Sequence, residues 1–89
     1  MGQYRIVVSG RVQGVGFRYF TLSKALEFDI KGWVRNREDG TVEASASGTE
    51  SQLSDFIASL RRGTRFSLVE NLEITPEEDR GEYAGFRIK

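Results

Sequence analysis

Residues 10–18 read GRVQGVGFR, with glycines at 10, 14 and 16 and an arginine at 18, where an apolar stretch gives way to a segment of helical character. Glycines at this spacing let successive backbone N–H groups curl to one side, and such a concavity binds anions. A helix opening directly behind it adds the positive end of its dipole. Arg18 then stands in the first helical turn, where a cation is unfavourable unless something negative lies between it and the amides. Its planar fork suits two oxygens of one phosphate. The chemistry these residue types point to is capture of a phosphoryl group. The plain alternative is a strand-to-helix turn that needs glycine for its backbone and nothing more.

Other glycine loops fit less well. A P-loop requires Gly-x-x-x-x-Gly-Lys-[Ser/Thr], and neither that spacing nor the lysine is present. A dinucleotide fingerprint fails at its third glycine, where Tyr19 stands. The run GVGFRYF echoes the aromatic signature of RNA-binding RRM domains, but in those domains it lies on the third strand, whereas here it precedes the first helix. Thirteen basic residues balance thirteen acidic ones, without the basic excess that nucleic acid or an anionic membrane surface calls for. No nucleic-acid or membrane partner is expected. The first ten residues, MGQYRIVVSG, lack a long apolar run or a leader-peptide pattern, so the expected location is the cytoplasm.

The chain has no histidine and no cysteine. That removes Ser-His and Cys-His nucleophiles, phosphohistidine chemistry, disulfides, and zinc sites built on thiolate or imidazole. Any catalysis falls to Arg, Lys, Asp, Glu, Asn, Ser, Thr, Tyr or the backbone. The EEDR run at 77–80 offers carboxylates, but consecutive loop carboxylates are read as solvated. No metal and no cofactor are expected. Asn36, taken alone, reads as a strand-end residue, Trp33 as packing, and Arg35 and Arg37 as solvated cations able to draw anions inward.

The elements that must position the loop follow from pattern. QYRIVVSG reads as a buried strand. Residues 17–28 lack Gly and Pro and carry Leu22, Ala25, Leu26 and Phe28 as a rough helical face, with Asp29 in the glycine-like stop position. IKGWVRN and GTVEASASG read as a hairpin whose turn is Asp39-Gly40. In the second of these strands Val42, Ala44 and Ala46 face one way and Thr41, Glu43, Ser45 and Ser47 the other, as in a half-buried strand. Thr49 and Gln52 make a capping box for a second helix with Leu53, Phe56, Ile57 and Leu60 on one stripe, closed by Gly63. RFSLVENLEIT is a fourth strand, PEEDRGE an acidic loop and YAGFRIK a last short strand. The order βαββαβ predicts one domain over residues 1–89, an α+β ferredoxin-like sandwich. Its antiparallel four- to five-stranded sheet carries two helices on one face, with the first and third strands adjacent at the centre.

At this point the sequence resembles the acylphosphatases. Their first motif, Gly-x-Val-Gln-Gly-Val-x-Phe-Arg, is met by Gly10, Val12, Gln13, Gly14, Val15, Phe17 and Arg18. Their second, Gly-Trp-Val-x-Asn before a turn, is met by Gly32, Trp33, Val34 and Asn36, and the closing Phe-x-Ile by Phe86 and Ile88. The resemblance covers the whole chain. It implies metal-independent hydrolysis of the carboxyl–phosphate anhydride of small acyl phosphates, by direct attack of water and without a phosphoenzyme. It also implies that Arg18 and the loop at Gln13, Gly14, Val15, Gly16 and Phe17 bind the phosphate, while Asn36 orients the water. A monomer is expected. Gly16 takes the variable motif position, Phe28 and Asp29 replace a frequent Leu-Gly, and Thr64 follows Gly63 where Pro is common. The competing reading is a non-catalytic anion-binding module on the same cradle.

Overall fold

The computed structural model describes residues 1–79, 81 and 83–89. Its elements are β1 (Gly2–Arg11), α1 (Phe17–Glu27), β2 (Lys31–Asn36), β3 (Val42–Gly48), α2 (Glu50–Arg62), β4 (Leu68–Pro76) and β5 (Phe86–Ile88). The strands form one sheet in the order β4-β1-β3-β2-β5, so β1 and β3 are neighbours at its centre, as the element order predicts. Both β1 and β2 run antiparallel to β3, and Val42 is paired with Val8 on one side and Asn36 on the other. The C-terminal ends of β1 and β2 therefore lie at the same end of the sheet. That end carries the glycine loop and Asn36.

The sheet is mixed, not antiparallel throughout, because β5 joins β2 in parallel. Nine residues link Pro76 on one edge to Phe86 on the other, and crossing four strand spacings takes about 19 Å. The link spans the sheet width, and β5 starts at the end of the sheet where β4 ends and points against it.

One face of the sheet holds the apolar core. Ile6 and Val8 of β1, Val34 of β2, and Val42, Ala44 and Ala46 of β3 are buried together with Phe17 and Ala25 of α1 and Leu53, Phe56 and Leu60 of α2. The capping box forms as expected: Gln52 N–H donates to Thr49 Oγ1 at 3.2 Å and Gln52 Oε1 accepts from Thr49 N–H at 2.9 Å. In α1 the expected inward face is corrected. Phe17, Thr21 and Ala25 point inward at a spacing of four, and Leu26 is left exposed. Asp29 ends that helix region with φ 57°, taking the left-handed conformation usually left to glycine.

The second face differs from the half-buried surface that the alternation in β3 predicts: every residue of β3 is buried. The link after β4 lies across it. Glu77 accepts from Gln3 Nε2 and Ser45 Oγ, both at 2.8 Å, and Tyr83 Oη meets Ser45 Oγ and Trp33 Nε1 at 3.1 Å. Glu43 receives Arg5 at 2.8 Å and Arg35 at 2.7 Å. Part of the acidic run is thus a strap tied to the sheet rather than a solvated loop; Arg80 lies outside the described residues. Burial pushes the Glu43 carboxyl up, but the hydrogen bonds and charges of Arg35 and Arg5 outweigh it, and the group ends below the ordinary glutamate range.

Candidate active site

The site begins where the pairing of β1 with β4 slips by one residue. The register shifts between Ser9 and Gly10: Ser9 faces Asn71 and Gly10 faces Val69, and the extra residue, Glu70, lies on β4. Gly10 has φ 123°, and a Cβ there would fall 2.1 Å from the carbonyl oxygen of Leu68, so no larger residue fits. Beyond the bulge the loop is pinned at both ends by buried apolar side chains, Val12 and Phe17. Between them Gly14 and Gly16 have φ 74° and 79°, each with open space where a Cβ would be. These two are glycine for their backbone conformation, not for crowding.

Gly16 is also the N-cap of α1, with no side chain to cap the helix, and no acidic residue lies in the first turn. The first amides of a helix have no intrahelical partner. Among the described residues no side chain caps them, and a cation stands in the same turn. That arrangement costs helix stability unless an anion from outside completes it.

The second half of the site comes from β2. Asn36 lies two residues beyond buried Val34 and so on the same, helix-covered side of the sheet. There α1 begins. The hairpin beyond is fixed by Asp39, which accepts from Thr41 N–H at 3.0 Å and Thr41 Oγ1 at 2.6 Å. Gln13 ties loop to hairpin: its Nε2 donates to the carbonyls of Arg37 at 2.7 Å and Thr41 at 2.8 Å.

These elements enclose a cavity of about 130 Å³ lined by Val12, Gly14, Gly16, Phe17, Arg18, Tyr19 and Asn36. Of the residues singled out from sequence, Gly14, Gly16, Phe17, Arg18 and Asn36 are brought together around it. Gln13 and Val15 are not part of the lining; Gln13 spends its side-chain amide on the hairpin, and Val15 packs against the core. Val12 and Tyr19 line the cavity without having been assigned to it from sequence. For Tyr19 the signal was available, since it is the next residue after Arg18 in the first turn of α1. No side-chain hydrogen bond or ion pair engages Arg18 or Asn36 among the described residues. The two flanking arginines behave otherwise. Arg35 is bound by Glu43 and lies over the Trp33 ring at 5.7 Å, and Arg37 stands 3.5 Å from Asp39.

No carboxylate lines the cavity, and no group of three or more Asp or Glu among the described residues is placed to hold a metal ion. A small concavity offering helix N-terminal amides, a guanidinium and a carboxamide, these two side chains unpartnered among the described residues, can bind a tetrahedral anion and hold a water beside it.

Comparison with known proteins agrees with that chemistry. The family model described as Acylphosphatase matches residues 4–88. A protein from Bacillus licheniformis named acylphosphatase is 48% identical over 88 residues, covering 99% of this chain and 98% of its own. The crystal structure of the Bacillus subtilis acylphosphatase superposes with a TM-score of 0.96 at 44% identity, covering 100% of this chain and 99% of that one. An acylphosphatase structure from Coxiella burnetii gives 0.93 at 32% identity, over 99% of this chain and 92% of the other.

Proposed function

The chain belongs to the acylphosphatase family and hydrolyses acyl phosphates, and from that premise we propose how its residues divide the work. Arg18 and the backbone amides of residues 13–17 hold the phosphoryl oxygens. Gln13 contributes through its main chain, because its side chain is committed to the hairpin. Asn36 aims the attacking water through its carboxamide oxygen. The water oxygen bonds to phosphorus as the bond from phosphorus to the acyl oxygen breaks. The bonding pair leaves with the carboxylate, one proton of the water stays on the phosphate, and the other passes to solvent.

A carboxylate is stable as an anion, so no general acid is needed to release it. The transition state is loose in most analyses, with charge spread over the equatorial oxygens. Positioned donors meet that demand, and they are more effective inside a pocket than in water. The observation that carries this division of labour is the unpaired guanidinium of Arg18 at an uncapped helix N-terminus, in one cavity with unpaired Asn36. The protein is further proposed to act in the cytoplasm, as a monomer, and without nucleic acid. Among the described residues no helix is long and apolar enough to cross a membrane.

The direct test is phosphate release from acetyl phosphate with and without chelator. Turnover unchanged by chelator, with competitive inhibition by inorganic phosphate, is expected. Activity lost to chelator and restored by magnesium would refute a mechanism run by Arg18, Asn36 and the loop amides alone. Phosphate binding without turnover would leave only the anion-binding module.

A further inference from the structure

The cavity has one lining side chain without a part in holding the phosphate or the water. Gly14 and Gly16 offer only backbone, and Val12 and Phe17 are each 1% exposed. Arg18 and Asn36 have their roles. Tyr19 remains, and it is 70% exposed, with its hydroxyl unpartnered among the described residues. A single exposed aromatic is ordinary on a protein surface. One that forms the rim of a reaction cavity is not accounted for by packing.

Size sharpens the point. The volume of about 130 Å³ is well short of the roughly 300–1,000 Å³ of pockets that enclose a drug-sized ligand. It corresponds to about four waters at roughly 30 Å³ each, enough for a phosphoryl group. The acyl part of the substrate must therefore project out of the cavity, past its rim. In an in-line displacement the leaving oxygen departs on the side opposite the water, which keeps the acyl group clear of the groups that hold that water. The side chain that offers this tail an apolar surface at the rim is Tyr19.

Resting on the site reading above, we infer that Tyr19 is a specificity residue: its ring is the platform for the acyl group. Acyl phosphates with a flat or bulky apolar acyl part, aromatic ones above all, are selected over acetyl phosphate. Ring stacking and edge contacts act on the tail and leave the phosphate untouched.

The experiment compares kcat and KM for benzoyl phosphate and acetyl phosphate in the native protein and in Tyr19→Ala, Tyr19→Phe and Arg18→Gln, with thermal melting of each. Tyr19→Ala should raise KM for benzoyl phosphate by about three- to tenfold. It should leave kcat, the KM for acetyl phosphate and inhibition by inorganic phosphate within about twofold. Tyr19→Phe should keep the preference of the native protein. An equal rise in KM for both substrates would place Tyr19 in the phosphate cradle and overturn the platform. So would no change for either, or a loss of preference in Tyr19→Phe, which would assign the effect to the hydroxyl. Turnover surviving in Arg18→Gln would instead move the reaction away from this cavity, and the platform would fall together with the site.

Discussion

Arg18 and Arg35 lie on opposite faces of the same small domain and illustrate two uses of one side chain. Arg35 is held by Glu43 at 2.7 Å, against the Trp33 ring and within a network that also takes in Arg5 and Glu77. Arg18 has neither carboxylate nor aromatic partner among the described residues, and it occupies the end of a helix where a cation is least welcome. The paired arginine braces two strands of the sheet within the network that holds the strap. In the proposed site, the unpaired one keeps its hydrogen-bonding capacity for a ligand, at some cost to the fold.

If that contrast is right, the two arginines separate activity from stability in opposite senses. Arg18→Gln should lower turnover on the order of 10³-fold or more, the scale seen when a charge-stabilising arginine is lost from phosphoryl transfer. Without ligand its melting temperature should hold or rise slightly, because a cation has left the helix N-terminus. The rise in melting temperature expected from inorganic phosphate in the native protein should vanish. Arg18→Lys should also be severe, since a point charge does not reproduce a two-pronged contact. Nearly full activity in Arg18→Lys would break the comparison at its functional end.

Asn36→Ala should reduce kcat on the order of 10²-fold, the loss expected for one preorganised polar group. Phosphate inhibition should move by less than about tenfold, because the group acts mainly in the transition state. Asn36 is exposed and carries none of the core, so melting should be unaffected. A large loss of phosphate binding at unchanged kcat would reassign it to the cradle.

Glu43→Gln probes the other face. It takes the carboxylate from Arg5 and Arg35 at a side chain only 8% exposed, and should cost about 2 kcal/mol, or on the order of 10 °C in Tm. Turnover should stay within about twofold. Acid should do the same more gradually. Burial raises the carboxyls of Glu43 and Glu77, but their hydrogen-bond partners and the nearby arginines lower both below the ordinary value. Their folded-state pKa values are thus depressed. The stability they contribute is present above the ordinary glutamate value of about 4.3 and is lost as pH falls through the lower, folded values. Melting temperature followed from pH 7 to pH 3 should therefore fall most steeply below about pH 4.3, and less steeply in Glu43→Gln. Equal slopes in the two proteins would show that the network contributes nothing there.

The two regions also differed in how far sequence exposed them. The loop end was legible because its requirements are local: positive φ calls for glycine, and a helix start with a cation and no acid stands out in a few consecutive residues. The pairing of the two motifs, through the family resemblance, points to Asn36, which alone reads as a strand end. The strap face was not legible. Glu43 and Ser45 alternate with apolar residues as in a solvated strand, and nothing near them announces that Glu77 and Tyr83, more than thirty residues on, will cover them. The same holds for β5, whose parallel pairing with β2 is a long-range contact that its own three residues do not announce. In α1 the rough face built on Leu26 failed because hydrophobicity was weighed above the spacing of four that Phe17, Thr21 and Ala25 obey.

The two bonds from Gln13 to the carbonyls of Arg37 and Thr41 couple the opening of the loop to that of the hairpin. Hydrogen exchange reports such local openings. The backbone amide of Arg37, bonded to Thr41 O at 2.9 Å, lies in the hairpin, yet its exchange is tied to the loop. A ligand that binds only the closed loop suppresses every opening that frees Gln13, so phosphate should slow exchange at Arg37 without touching it. By reciprocity, a hairpin that frays more readily weakens binding at a cavity its turn does not line.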